Sequence, residues 1–282
     1  MSGLLPHFQM PWMKPVDRAI SDCEELGYAN FVTGATGSGK TRFCTHLQTI
    51  RKYRPGSAHY YLLNPIGNPV TALQAVSDSM SCQTVMHDGA VNSAGALQKG
   101  CNSSRELGSV TRSTIEKIRA SNISLLILDR VDRVCVTFLP ALFQILETLR
   151  TTQHRFGLVL TADQPPSLWR NRGAGHLTYV YNYFHIPPLS PMTCGAVLGK
   201  WCPGAEELAG GLKNGDEPSI AIAKSIHAAT RGNFRELEQL AHRKNRHFGS
   251  EPFSLALIKE LQKELPPRFE SDATSHQFEF EF

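Results

Sequence analysis

The apolar positions of this chain follow two periods, and the change from one to the other divides it. Ala29 to Thr33 (ANFVT) is a short apolar run that stops at a glycine-rich turn, which predicts a buried strand. Ala58 to Leu63 (AHYYLL) is a second strand, closed by Asn64-Pro65. Ile123 to Leu128 (ISLLIL) is a continuous apolar run but for Ser124, as expected of a parallel strand covered on both faces. Gly157 to Leu160 and Tyr179 to Ile186 complete the strand set. Between these runs the spacing turns helical: 16–26 ending at Gly27, then 40–50, 69–80, 113–120 and 138–151. Residues 88–104, rich in Gly, Ser, Asn and Ala, read as an irregular insertion. Alternating strands and helices predict an α/β fold, a three-layer parallel sheet.

After Pro187-Pro188 the strand signal stops. Residues 192–201, 218–230, 233–246 and 253–265 read as helices. The expected organisation is an N-terminal extension (1–15), an α/β domain (16–188), a helical domain (189–265) and a tail (266–282). In the tail, Phe278, Phe280 and Phe282 alternate with Glu279 and Glu281. Such alternation suits a strand added to a partner's sheet edge, and plain disorder is the alternative.

Bulk properties narrow the class. The chain has 282 residues, 41% hydrophobic and 19% charged, which is ordinary for a soluble globular protein. Its formal net charge of +4 is compatible with a nucleic-acid backbone without requiring one. No apolar run is long enough for a membrane span, and the N-terminus lacks the charge pattern of a signal peptide. Seven cysteines without any C-x-x-C read as reduced thiols, and the histidines show no metal-ligand spacing.

The strongest chemical signal follows the first strand. Gly34, Ala35, Thr36, Gly37, Ser38, Gly39, Lys40 and Thr41 match G-x-x-x-x-G-K-[ST], the phosphate-binding P-loop. Glycines let successive backbone N–H groups face a phosphate, and the next helix adds the positive end of its dipole. Lys40 is placed for the β and γ phosphates of ATP, and Thr41 for Mg²⁺. By composition such a match arises by chance about once in a hundred chains of this length. The strand before it and the helix after it make a bare glycine turn a poor explanation.

Asp129 ends the ISLLIL strand, where a carboxylate can hold Mg²⁺ through water, the Walker B role. Many such ATPases carry Glu next; here it is Arg130, which cannot act as a base toward water. Asp132 either substitutes for it or caps the following helix. Thr161 and Asp163, after the GLVL strand, are both candidates to face the γ phosphate. A short helix over 167–171 brings Arg170 and Arg172 into play, and either can reach a neighbouring subunit's nucleotide as an arginine finger. In TRGNFREL, Gly232 breaks one helix, Asn233 caps the next, and Arg235 stands where the helix dipole disfavours a cation unless a phosphate compensates.

P-loop, Walker B strand, strand-end sensor, arginine pair, helical lid and G-N-F-R, in this order, resemble the AAA+ ATPases over residues 16–265. TRGNFRELEQL, LLILDRVDR and the short length are similar to the TnsC/TniB transposition regulators; ExeA-type secretion ATPases and Cdc6/Orc proteins share much of the pattern. The resemblance implies an ATP- and Mg²⁺-dependent homo-oligomer, a ring or filament on duplex DNA. It implies recruitment of a transposase, with a target-selection protein upstream, in the bacterial cytoplasm. It implies Walker B at Asp129, sensor 1 at Thr161 or Asp163 and sensor 2 at Arg235. It also implies backbone contacts to DNA from the basic residues before Walker B: Lys99, Arg105, Arg112, Lys117 and Arg119. Arg130 departs from the pattern and implies slow hydrolysis. Competing classes are a loader of a replication protein and an NTPase without a DNA role.

Overall fold

The computed structural model describes residues 13–51, 57–63, 68–81, 104–133, 138–164 and 181–263. Lys99, Arg170, Arg172, the expected 167–171 helix and the FEFEF tail lie outside them. The described chain forms two compact units. The larger runs up to Pro188 and also takes in Asn233–Arg235; the smaller holds Leu189–Gly232 and the chain from Glu236 on.

The larger unit is built on five parallel strands: β1 (Ala29–Thr33), β2 (Ser57–Leu62), β3 (Ile123–Asp129), β4 (Gly157–Ala162) and β5 (Tyr181–His185). Their order across the sheet is β2-β3-β4-β1-β5. Strands β1, β3 and β4 are buried along their whole length, so both faces of the sheet are covered. Alternation assigns the faces. Phe31, Leu126, Leu128, Leu158 and Leu160 join one apolar cluster with α3 (Pro69–Ser81), α4 (Ser104–Ala120) and α5 (Phe138–Thr151). Val32, Leu125, Ile127 and Val159 point the other way, toward α1 (Met13–Leu26) and α2 (Lys40–Arg51). Arg51 ends α2 with 2% exposure and pairs with Asp17 at 3.2 Å and with buried Glu24, pinning α2 to α1.

Helix α4 begins nine residues before its predicted start. Thr111 and Thr114 read as polar in the pattern, but their hydroxyls donate to the carbonyls of Leu107 and Val110 at 2.7 and 2.8 Å. The two threonines thereby fill buried positions of the apolar stripe.

The smaller unit contains α6 (Pro191–Trp201), α7 (Glu206–Asn214), α8 (Glu217–Thr230), the body of α9 (Phe234–His247) and α10 (Leu255–Lys263). Helix α7 was not expected, because Gly210 and Gly211 weaken a helix interior. Close packing explains Gly211, whereas a Cβ at Gly210 would meet nothing within 4 Å. A Cβ at Gly211 would strike the Ser219 side chain, and one at Gly199 would lie 2.6 Å from that of Ala209. Fully buried Lys244 places its ammonium on the carbonyls of Pro203 and Gly249, tying the loops after α6 and α9 together. Cys44, Cys194 and Cys202 are buried free thiols. Burial pushes Cys194 up to about 11 and Cys202 up to about 12, which keeps both unreactive. No described helix is long and apolar enough to cross a membrane.

Candidate functional site

The site gathers where β1, β3 and β4 end. Strand β1 runs into the loop 34–39, and α2 starts at Lys40. Gly37 and Gly39 have φ of 85° and 100°, a region that L side chains rarely adopt. Ser38 N donates to Ala35 O at 3.0 Å, which closes the turn. The Lys40 side chain is nearly buried. Its ammonium donates to Gly34 O at 2.6 Å and Ala35 O at 3.1 Å, and pairs with Asp163 at 2.7 Å.

Strand β4 lies between β1 and β3, so the Asp129 strand is not the direct neighbour of the P-loop strand. Two hydroxyls bridge that separation. Thr41 Oγ1 donates to Asp129 Oδ2 at 2.6 Å, and Thr161 Oγ1 donates to Asp129 Oδ1. Arg130 N donates to Thr161 Oγ1 at 3.0 Å, and Tyr60 OH lies 3.3 Å from Asp129 Oδ2. Asp129 is fully buried, and these donors answer the cost of burying its charge.

Thr161 and Asp163, alternatives in the sequence, occupy different places. Thr161 orients Asp129. Asp163 reaches the P-loop, accepting from Thr36 Oγ1 at 2.8 Å while it pairs with Lys40. Burial acts to raise the Asp163 carboxyl, but the bond and charge of Lys40, with the Thr36 bond, outweigh it and hold the group below its ordinary range.

Arg130 leaves the strand with φ of 67°, and a 3₁₀ turn, Val131–Arg133, follows. Asp132 in that turn accepts from Asp163 N at 3.2 Å, and its Oδ1 is buried without a hydrogen-bond partner among the described residues. Burial, the largest effect, raises its carboxyl, and the Asp163 charge adds to the rise.

Asn233 and Arg235 meet the P-loop from outside. Asn233 Nδ2 donates to Thr36 O at 2.8 Å, and Arg235 N donates to Gly37 O at 3.0 Å. The Arg42 guanidinium lies 5.2 Å from the centre of the Phe234 ring, in cation–π range. The Arg235 side chain is exposed. Sequence reading assigned Asn233 only a capping role, because a contact 197 positions distant leaves no local pattern. It also missed Tyr60, which resembles any strand aromatic, and Tyr183, whose OH lies 2.8 Å from Thr33 Oγ1 at the end of β1.

Of the basic residues expected near DNA, Arg112 is exposed on α4. Lys117 pairs with Asp78 at 3.1 Å, and Arg119 donates to Thr152 Oγ1 at 2.7 Å. Arg105 belongs to the first turn of α4. Arg112, Lys117 and Arg119 are thus not equally placed for a backbone contact.

The residues fit a magnesium nucleotide. Thr41 and Asp129 are hard oxygen donors of the kind Mg²⁺ selects. Thr41 gives its proton to Asp129, which leaves its oxygen lone pairs for a metal. The glycine turn with one buried ammonium has the composition that suits a phosphate.

Solved structures share this fold. Cdc6p from Pyrobaculum aerophilum superposes with a TM-score of 0.56 at 13% identity, over 89% of this chain and 66% of that protein. The Orc1 protein of Aeropyrum pernix, solved in complex with DNA, gives 0.54 at 13% identity, over 94% and 68%. Domain III of the Thermotoga maritima replication initiation protein DnaA gives 0.50 at 16% identity, over 91% and 93%. The chain therefore spans about two thirds of the first two proteins and nearly all of the third domain. No family model and no curated protein matches the sequence. The shared architecture is a parallel α/β sheet with flanking helices.

Proposed function

We propose that this AAA+-type chain binds ATP with Mg²⁺ and uses the bound nucleotide as a switch for assembly on duplex DNA. The observation that carries the reading is the convergence of Thr41 and Thr161 on one buried carboxylate, Asp129, beside a P-loop lysine. Lys40 and the loop amides of residues 34–41 would hold the phosphates, and Thr41 with Asp129 the metal. When bound, the metal neutralises phosphate charge. Thr161 fixes the Asp129 carboxylate, and Asp163 senses occupancy of the loop by yielding Lys40. Arg235 is the candidate lid cation.

The finer reading is a regulator of DNA transposition that oligomerises on target DNA and recruits or activates a transposase. Its support is the TRGNFRELEQL and LLILDRVDR segments together with Arg130 in place of the usual Glu. A scaffold needs ATP held between subunits, not fast turnover, and a cation at that position suits slow hydrolysis. Arg170 or Arg172 would supply the contact in trans.

Three measurements separate this reading from its competitors. Electron microscopy with ATP, Mg²⁺ and duplex DNA is expected to show regular rings or filaments that form with a non-hydrolysable analogue. DNA binding without nucleotide, or fast DNA-independent turnover, favours a loader; no DNA binding favours an NTPase of another kind. Asp129→Asn is expected to leave ATP binding in EDTA intact and to lower affinity about tenfold or more with Mg²⁺, and calorimetry in the two buffers reads the difference. On DNA, Arg112→Ala should weaken binding to all sequences alike and reduce the slope of log K against log salt by about one contact. An unchanged slope removes Arg112 from the interface.

A further inference from the structure

Building on the nucleotide reading, we infer that Asn233 is a positioning residue of the phosphate loop and not merely the cap of a helix. A phosphate-binding loop works only if consecutive peptide planes keep their N–H groups turned inward. In a trans peptide the carbonyl points opposite to its N–H, so holding the carbonyl outward fixes the amide inward. Asn233 Nδ2 donates to the Thr36 carbonyl at 2.8 Å and so sets the N–H of Gly37. Arg235 N holds the Gly37 carbonyl at 3.0 Å; the N–H of that second peptide, Ser38 N, is given to Ala35 O at 3.0 Å, so this plane is fixed as part of the turn that carries the first. Two adjacent peptide planes are thus held from outside by one short segment.

The contact admits only glycine beneath it. A Cβ at Gly37 would run into the Asn233 amide and come 3.0 Å from the Arg235 Cβ. With φ at 85° this position is doubly restricted. Asn233 Oδ1 meanwhile accepts from Arg235 N at 3.0 Å, the ordinary capping bond. The two ends of one amide therefore do separable work: oxygen on the helix, nitrogen on the loop.

Two variants separate them. Asn233→Ser keeps a neutral capping oxygen but is too short to reach the Thr36 carbonyl. Asn233→Ala loses both functions. Titration with ATP and Mg²⁺ should show a loss of affinity of about fivefold to tenfold in both, the scale of one well-placed hydrogen bond. Thermal unfolding without nucleotide should fall in Asn233→Ala alone. An Asn233→Ser protein that binds ATP as tightly as a binding-competent parent overturns this inference alone. A parent that takes up no ATP overturns it together with the nucleotide reading.

Discussion

Lys40→Ala is expected to lower affinity for ATP·Mg²⁺ by about a hundredfold, roughly 2.7 kcal/mol. The ammonium is nearly buried and lies against two loop carbonyls and the Asp163 carboxylate. There its charge is poorly screened, so its attraction for a phosphate exceeds that of a surface lysine. The fold should persist, since Asp163 keeps its bond to Thr36 and the cluster is partly open to water. In the parent, ATP at a hundred times its dissociation constant should raise the unfolding midpoint by about 5–10 °C. The variant should show almost none of that rise at the same concentration. Equal binding by variant and parent would remove the basis of the nucleotide reading.

Asp132→Asn should slow ATP turnover by about a hundredfold and leave ATP affinity within about twofold. Arg130 excludes the neighbouring position as a base, and Asp132 is the nearest acid on the same turn. Its Oδ2 takes the Asp163 amide, while Oδ1 has no hydrogen-bond partner among the described residues and is left to accept a proton. Burial raises its carboxyl above the ordinary range, which makes it a stronger base. Asparagine keeps an oxygen for the Asp163 amide and loses only the basicity. The parent should already turn over well below the roughly 10 s⁻¹ of a median enzyme. Fast turnover that survives Asp132→Asn would rule out both the slow switch and the role of Asp132.

Much of the framework is written locally. The P-loop needs eight consecutive residues, and its glycines announce themselves because other residues avoid φ near 85° and 100°. Strands β1 and β3 are legible because burial on both faces leaves Ser124 as the one polar position in ISLLIL and only Asn30 and Thr33 in ANFVT. Helix α5 is legible from its broad apolar face. Where the pattern misled, local chemistry was masked by packing. Thr111 and Thr114 satisfy their hydroxyls within α4 and pass as apolar, and Gly211 of α7 gives room to the Ser219 side chain pressed against it.

The sequence by itself determined the parts: an anion-binding loop, an acid at a strand end, polar residues after β4 and a helical region beyond Pro188. Only the tertiary structure decided their arrangement. The order β2-β3-β4-β1-β5 sets β4 between loop and acid, so that Thr161 holds Asp129 and Asp163 turns to Lys40. It also brings Asn233 to the Thr36 carbonyl across 197 positions. The physical reason is range. Backbone sterics and periodic burial act within a few residues and leave a trace in the pattern. Strand order and contacts of this kind are settled by the simultaneous packing of all elements, and no short window of residues records them.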